Sequence, residues 1–164
     1  KDLSKFEAEN VGYYFRNNVW FWRPLANLIT VLNEDWLTDE QKERLQDNSG
    51  FEFSELEAIK IKLSLEKVIN NGWLKKAEQQ WKKEAKQAEL WNAQIKEQME
   101  KLKKQAIKET TKANIVPRDY PPHLKLKWDK LWESEDRTSS YPVSLENVKN
   151  FVAFLNECGG FKVC

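Results

Sequence analysis

The stretch that decides the fold is Val11–Leu32, VGYYFRNNVWFWRPLANLITVL. Its first half, Tyr13–Arg23, holds six aromatic rings, two arginines and two adjacent asparagines, and we name it the aromatic segment. Pro24 suits the first turn of a helix, where its missing N–H leaves no hydrogen bond unmade. Apolar residues then recur at helical spacing, which predicts a helix with one buried face. These residues are Leu25, Leu28, Ile29, Leu32 and Trp36.

The aromatic segment itself is compatible with two conformations. Its apolar residues alternate at the period of a β-strand on either side of Asn17 and Asn18, and asparagine tolerates the positive φ of a tight hairpin turn. The alternating residues are Tyr13, Phe15, Val19 and Phe21. The other conformation is an irregular aromatic loop that leads into the helix. The sequence leaves both open.

Two capping boxes mark the next helices. Thr38-Asp-Glu-Gln41 predicts a short acidic helix that runs to about Gln46, and Ser54-Glu-Leu-Glu57 predicts a longer one. The longer helix should end at Asn71-Gly72, because glycine adopts the left-handed conformation of a helix C-cap. Its apolar residues lie on more than one side, which predicts a central helix. They are Leu56, Ile59, Ile61, Leu63, Leu65 and Val68.

The longest predicted helix is Trp73–Ala113, which contains no glycine or proline. About 40 helical residues span roughly 60 Å. A thin apolar seam repeats every seven residues, as in a coiled coil. Its members are Leu74, Trp81, Ala88, Ile95 and Leu102, flanked by Ala77, Ala85, Trp91, Met99 and Ala106. A lone helix of this kind is marginal in water. We therefore expect a second long helix, from this chain or, as we prefer, from a second copy, which predicts a homo-oligomer.

The C-terminal part begins with Asn114–Pro122, whose three prolines break the long helix. A short helix is predicted over His123–Trp132, and Ser144 can cap a last helix over Leu145–Glu157. Phe161–Cys164 is predicted to form a short strand that pairs with the aromatic segment. The whole chain, 1–164, is interpreted as one domain of mainly α class, in the parts 1–72, 73–113 and 114–164. It has one long coiled-coil-like helix and a small β element that joins the N- and C-termini.

Charge and reactive residues narrow the function classes. Glu34–Glu57 has a net charge of −7 and Lys75–Lys112 a net charge of +5, and these two stretches could pair with each other. Two cysteines make no disulfide framework, so we expect a cytoplasmic protein. With His123 as the single histidine, no catalytic or metal-binding motif is present. We therefore expect a protein that is not an enzyme and needs no cofactor or metal. No apolar run approaches the about 18–20 residues of a membrane span.

The aromatic segment is the strongest candidate site, because it combines the groups that hold a nucleotide. A base stacked on an aromatic ring is stabilised by about 1–3 kcal/mol, arginine grips phosphate through two hydrogen bonds, and asparagine offers donors and acceptors to a base edge. We expect stacking from the tryptophans, phosphate binding from the arginines and polar readout from the asparagines. The candidate residues are Tyr14, Arg16, Asn17, Asn18, Trp20, Trp22 and Arg23.

Other interpretations of the same features remain open. The aromatic segment could be a structural cluster in which Arg16 and Arg23 stack on Trp20 or Trp22. The long helix or the acidic stretch could present a surface to a host protein, which would make the chain a protein–protein inhibitor. Nucleic-acid binding by the basic helix is weakened by six interspersed glutamates.

Three segments carry a resemblance to a known group of proteins. Tyr14–Leu25 (YFRNNVWFWRPL), Tyr141–Val148 (YPVSLENV) and Phe151–Phe161 together resemble small uncharacterised bacteriophage proteins. The resemblance implies an accessory factor in the host bacterial cytoplasm. Such anti-defence factors include inhibitors that sequester the nucleotide signals of bacterial immune systems and inhibitors that bind a host protein. Together with the aromatic segment, this favours a protein that sequesters a nucleotide-like molecule.

Overall fold

The computed structural model describes residues 5–6, 9–47 and 49–163. This part of the chain is mainly helical, with one long helix and two short strands, and it confirms the predicted class. The helices are α1 (Val19–Leu32), α2 (Asp39–Arg44), α3 (Glu55–Asn70), α4 (Trp73–Thr110), α5 (Pro122–Glu133) and α6 (Leu145–Leu155). The strands are β1 (Glu52–Ser54) and β2 (Gly160–Lys162), and 3₁₀ turns lie at Pro117–Asp119 and Thr138–Ser140.

The chain forms two compact units. The first unit consists of 1–81 and 141–164, and the second of 82–140. The interpretation of 1–164 as one domain stays a prediction. None of the described helices is both long enough and apolar enough to pass through a membrane.

Helix α1 begins at Val19, earlier than its sequence pattern predicts. The Asn18 side chain accepts hydrogen bonds from the backbone N–H groups of Trp20 and Phe21, which makes it the N-cap. The predicted start at Pro24 is therefore wrong, because a good cap six residues upstream begins the helix first. Residues 14–18 are irregular, so the aromatic segment is a loop that runs into a helix and not a hairpin. The predicted buried face is present, with Leu25 and Ile29 inside the core.

Both capping boxes are confirmed. Thr38 and Gln41 exchange backbone and side-chain hydrogen bonds at the start of α2, and Ser54 and Glu57 do so at the start of α3. The predicted end of α3 is also confirmed, since Gly72 follows it with a φ of 75°. These features depend on residues three or four positions apart, so the local sequence determines them.

Helix α3 buries only one of its faces. Ala58, Ile61, Leu65 and Val68 lie in the core, where α3 packs against α1, α6 and β2. The helix is central in that α1, α6, β1 and β2 all pack on it, but the expected burial on more than one side is wrong. Leu56, Ile59 and Leu63 on the opposite side are exposed. All the elements that pack on α3 cover the same face. The remaining apolar side chains therefore point away from the core.

The two strands form an antiparallel pair in which Phe53 lies opposite Phe161. Their rings stack at 4.9 Å between centroids, with 11° between the ring planes. Strand β2 therefore pairs with β1, and the predicted pairing with the aromatic segment is wrong. That segment is irregular before Val19 and helical after it, so it offers no strand edge. Cys164 of the predicted strand lies outside the described residues.

In the second unit, α4 is tied to the segment after α5 by side-chain hydrogen bonds. Trp91 Nε1 donates to the Ser134 carbonyl oxygen at 2.8 Å, and Asn92 exchanges two hydrogen bonds with the backbone of Asp136, at 2.7 and 2.9 Å. A small buried cluster lies nearer the end of α4. Its members are Ala106, Ile115, Tyr120 and Leu124.

The apolar seam of α4 is largely buried within a single chain. Ala88, Ile95, Met99 and Ala106 are all buried, so these residues do not require a second copy to cover them. The predicted homo-oligomer through this helix stays a prediction. The helix ends at Thr110, and Thr111 follows with a φ of 57°.

Candidate functional site

A cavity of about 440 Å³ opens on the first unit, between the aromatic segment, α1, α6 and β2. Pockets that hold small molecules have volumes of about 300–1,000 Å³. Four of the seven predicted site residues line it, namely Tyr14, Asn17, Trp22 and Arg23. We name it the charged cavity, because Arg23 and Lys162 line it and no Asp or Glu of the described residues does.

Close packing of the N-terminal segment on α6 forms one wall of the charged cavity. Gly12 lies so near the end of α6 that a Cβ atom there would overlap the backbone carbonyl of Glu157. The ring of Phe15 then packs on Phe151 and Phe154, with centroid distances of 5.0 and 5.9 Å. Glycine at position 12 therefore permits the approach that places the aromatic segment over the core.

Trp22 has a fixed orientation in this wall. Its indole Nε1 donates to the Leu45 carbonyl oxygen at 2.7 Å. Its ring meets Phe151 edge-on, with 5.7 Å between centroids and 81° between planes. One hydrogen bond and one ring contact hold the indole before any ligand arrives, so a ligand can meet a pre-oriented apolar surface here.

The cations of the charged cavity have different surroundings. Arg23 is exposed and donates one hydrogen bond from Nη1 to the Tyr141 hydroxyl at 3.3 Å, and it forms no ion pair with a described carboxylate. Lys162 Nζ is 2.7 Å from Glu52 Oε1 on the opposite strand, and Lys162 lowers the pKa of that carboxyl by hydrogen bonding and by its charge. Arg23 is therefore the better placed of the two to bind an anion.

Two side-chain amides supply neutral polar groups. Asn17 Nδ2 donates to Asn147 Oδ1 at 3.1 Å, and Gln46 Nε2 donates to Asn27 Oδ1 at 2.8 Å. Both bonds use the amide nitrogen, which leaves the amide oxygen of Asn17 and of Gln46 as an acceptor. The cavity thus combines aromatic faces, cationic donors and neutral acceptors.

The other three predicted residues lie outside the charged cavity. The Trp20 ring packs on Tyr141 at 5.3 Å, the Arg16 guanidinium lies 5.7 Å from the centre of the Tyr14 ring, and Asn18 caps α1. The aromatic segment therefore divides into residues that face the cavity and residues that face away. The alternative interpretation, in which the arginines make structural cation–π contacts, agrees with the position of Arg16. Its ring partner, however, is Tyr14 and not Trp20 or Trp22.

Sequence reasoning missed the part of the lining that comes from distant segments. It consists mainly of Gln46, Phe151, Phe154, Cys158, Phe161 and Lys162. One sequence signal could have indicated these lining residues. In Gly159-Gly160-Phe-Lys162, a glycine pair precedes a strand-forming phenylalanine and a lysine. The predicted pairing of this strand with the aromatic segment is wrong. Residues of both segments nevertheless line the same cavity.

Cys158 lines the charged cavity as a protonated thiol. Burial raises its pKa, and the nearby Glu55 carboxylate raises it further, while backbone hydrogen bonds oppose the shift. A thiol with a raised pKa is a poor nucleophile at neutral pH. Across the described ranges, no group of three or more His, Cys, Asp or Glu side chains could hold a metal ion.

Comparison with known proteins adds no relative, because no protein-family model, curated protein or solved structure matches the chain. The interpretation of the charged cavity therefore depends on its own residues and geometry.

Proposed function

We propose that this protein is a non-enzymatic binding protein that holds a nucleotide-like small molecule in the charged cavity and so lowers its free concentration. The observation that carries the proposal is the convergence of Tyr14, Asn17, Trp22 and Arg23 on one cavity. These residues were singled out from the sequence because their chemistry suits a base and a phosphate.

Each part of such a ligand has a counterpart in the lining. Aromatic side chains offer flat apolar surface to a base, at about 1–3 kcal/mol per stacked base. The Arg23 guanidinium retains N–H groups for a phosphate, and charge-assisted hydrogen bonds are about twice as strong as neutral ones. No carboxylate is among the described lining residues, although Glu55 lies near Cys158 and Glu52 pairs with Lys162. The phosphate contact is therefore assigned to Arg23. Because Trp22 is already held, less conformational freedom is lost on binding.

We propose sequestration as the purpose of binding, on the expectation that the chain is an accessory factor like the small bacteriophage proteins that its sequence resembles. An accessory factor of that kind acts by binding a nucleotide signal and lowering its free concentration. This requires affinity for the nucleotide but no catalytic turnover. The lining suits that purpose, because it offers rings, amides and cations, and the one thiol among its described residues has a raised pKa.

Calorimetry with matched ligands tests the proposal. We expect AMP to bind at least about tenfold more tightly than adenosine, because hydrogen bonds to a charged group contribute about 1.5–3 kcal/mol. A panel of linear and cyclic mononucleotides and dinucleotides would then identify the preferred ligand. Absence of binding by every member of the panel would contradict the proposal.

Matched variants test whether binding occurs in the cavity. Tyr14 and Trp20 have side chains of nearly equal exposure, 49% and 48%, but only Tyr14 lines the cavity. Arg23 lines it and Arg16 does not. We expect Tyr14→Ala and Arg23→Ala to weaken nucleotide binding about tenfold each, and Trp20→Ala and Arg16→Ala to retain most of the affinity. Equal losses in all four variants would place the ligand elsewhere on the aromatic segment.

The cysteine in the lining provides an independent readout. In a Cys164→Ser background, a bound nucleotide should slow alkylation of Cys158, whereas adenosine at the same concentration should not. Because the pKa of this thiol is raised, the rate of alkylation should still be climbing above pH 9.0, the ordinary pKa of the group. Alkylation that is unaffected by saturating nucleotide would show that the cavity is empty.

A further inference from the structure

A second cavity of about 240 Å³ lies in the first unit, lined by α1, the start of α4 and the segment before α6. We name it the apolar cavity, since no charged side chain of the described residues lines it. Phe21, Pro24, Leu28 and Val31 contribute from α1, and Trp73 from α4. Val31 is 70% exposed and Trp73 50% exposed, so the cavity is open to solvent at these residues.

The polar side chains in this lining already have partners within the protein. Asn147 Oδ1 accepts from Asn17 at 3.1 Å, and Asn147 Nδ2 donates to the Phe21 carbonyl oxygen at 3.4 Å. Ser144 Oγ accepts from the Asn147 backbone N–H, and Asn27 Oδ1 accepts from Gln46. A buried water needs two to four polar partners. Water in the apolar cavity is therefore poorly held, and an apolar molecule can displace it with a gain in affinity.

The size and shape of the cavity define its occupant. An engineered cavity of about 150 Å³ lined by apolar side chains binds benzene. Scaled by volume, 240 Å³ corresponds to a molecule of about nine or ten non-hydrogen atoms. Two of the lining residues, Phe21 and Trp73, are aromatic and suit a planar molecule, and the uncharged lining gives no partner to an ionised group.

We propose that the apolar cavity is a second ligand site, which takes an uncharged, planar, apolar molecule the size of two fused rings. Its residues are distinct from those of the charged cavity, and its ligand carries no phosphate. The proposal is independent of nucleotide binding, and either site can be present without the other.

The test uses indole as the probe and indole-3-acetate as its charged counterpart, with the ¹⁵N-labelled full-length chain. Indole should give saturable chemical-shift changes at the backbone amides of Val31, Ala77 and Val143, which line the cavity. Indole-3-acetate should bind several-fold more weakly, because no cation of the described lining is there to pair with its carboxylate. The same titration in the presence of AMP shows whether the two sites fill separately.

Two variants locate the probe. Ala77→Phe places a ring in the cavity and should weaken indole binding at least tenfold, while Ala93→Phe makes the same change at an exposed position of α4 and should leave binding unchanged. Val31→Asp adds a charge at an exposed position of the lining. It should weaken binding several-fold in a protein that still folds.

Three results would overturn the proposal. The first is the absence of saturable shifts with indole, and the second is full retention of binding in both Ala77→Phe and Val31→Asp. The third is a set of shifts at Val31, Ala77 and Val143 that depend on protein concentration without any ligand, since a second copy of the chain would then fill the cavity.

Discussion

The charged and apolar cavities share helix α1 but offer opposite chemistry. Trp22 and Arg23 face the charged cavity, whereas Phe21, Pro24 and Leu28 face the apolar one. Neighbouring residues of a helix point about 100° apart, so one helix can line two cavities with different side chains. Aromatic residues occur in both, and the difference lies in the cations. The comparison teaches that the aromatic content of Tyr13–Arg23 does not identify the site, whereas the position of Arg23 on the helix does.

Two side-chain hydrogen bonds join residues of the two linings. In the first, Gln46 Nε2 of the charged cavity donates to Asn27 Oδ1 of the apolar one at 2.8 Å. The second joins Asn17 and Asn147. Asn17 belongs to the charged cavity and Asn147 to the apolar one, and the Asn17 amide nitrogen donates to the Asn147 amide oxygen at 3.1 Å. The two cavities are therefore neighbours with separate chemistry, and substitutions can be chosen that affect one of them, the other or both.

The largest effect is expected from Gly12→Ala. The added methyl group would overlap the Glu157 backbone, so the aromatic segment must move away from α6. We expect a loss of about 1–3 kcal/mol in the free energy of unfolding, with nucleotide binding abolished and indole binding retained. Denaturant unfolding and calorimetry measure these quantities.

Gly72→Ala is the control for that substitution. It adds the same methyl group where nothing lies within 4 Å, at a φ of 75°. It should destabilise the protein through backbone strain by about 1 kcal/mol and leave nucleotide binding intact. Nucleotide binding at wild-type affinity in Gly12→Ala would show that the close approach at Glu157 does not form the charged cavity.

A smaller effect, dependent on pH, is expected from Glu57→Gln. Burial alone would raise the pKa of Glu57, but hydrogen bonds from the Ser54 hydroxyl, the Ser54 backbone N–H and the Gln41 amide lower it overall. Because the folded pKa lies below the unfolded one, this stabilisation is fully present above the unfolded value. It is lost as the pH falls through the folded value. The variant should lose about 1 kcal/mol of stability at pH 7.

The loss should fade as the pH falls below 4.5, the ordinary pKa of the group, and urea unfolding at a series of pH values measures it. Glu66→Gln on the same helix is the control, since the Glu66 side chain makes no hydrogen bond within the described part of the chain. Glu57 lies in the first turn of α3, next to β1, which pairs with β2 and so supports Lys162. We expect nucleotide affinity to fall more than indole affinity. A stability loss that does not change with pH would contradict this assignment.

The smallest effect is expected from the Asn17–Asn147 hydrogen bond, one of the two that join the linings. A double-mutant cycle of Asn17→Ala and Asn147→Ala should give a coupling free energy of about 0.5–1.5 kcal/mol. Both nucleotide and indole binding should weaken in Asn147→Ala, because this residue also holds the Phe21 carbonyl. Additive single effects would show that the bond does not connect the cavities.

Predictions from the sequence were right where near neighbours decide the structure. The capping boxes at Thr38 and Ser54 and the glycine after α3 depend on residues within one helical turn. The predicted start of α1 was wrong, although its N-cap at Asn18 was a residue of the candidate site. An asparagine followed by helix formers suits a cap as well as a ligand site, and the pattern alone does not separate these roles.

The candidate site was predicted in part. Tyr14, Asn17, Trp22 and Arg23 could be identified because they lie within ten positions of one another. Phe154 and Lys162 could not, because only the packing of α6 and β2 brings them to that segment. The exposure of Leu56, Ile59 and Leu63 on α3 likewise depends on which elements cover that helix.

The sequence by itself determined the mainly α class, the caps and the buried stripe of α1, since local hydrogen bonds and helical periodicity set all three. Only the tertiary structure decided that β1 pairs with β2 and that one half of Tyr13–Arg23 faces a cavity. These outcomes depend on contacts between residues more than one hundred positions apart, such as Asn17 with Asn147. No local pattern encodes the free energy of such contacts, because it arises only when distant segments exclude water from each other.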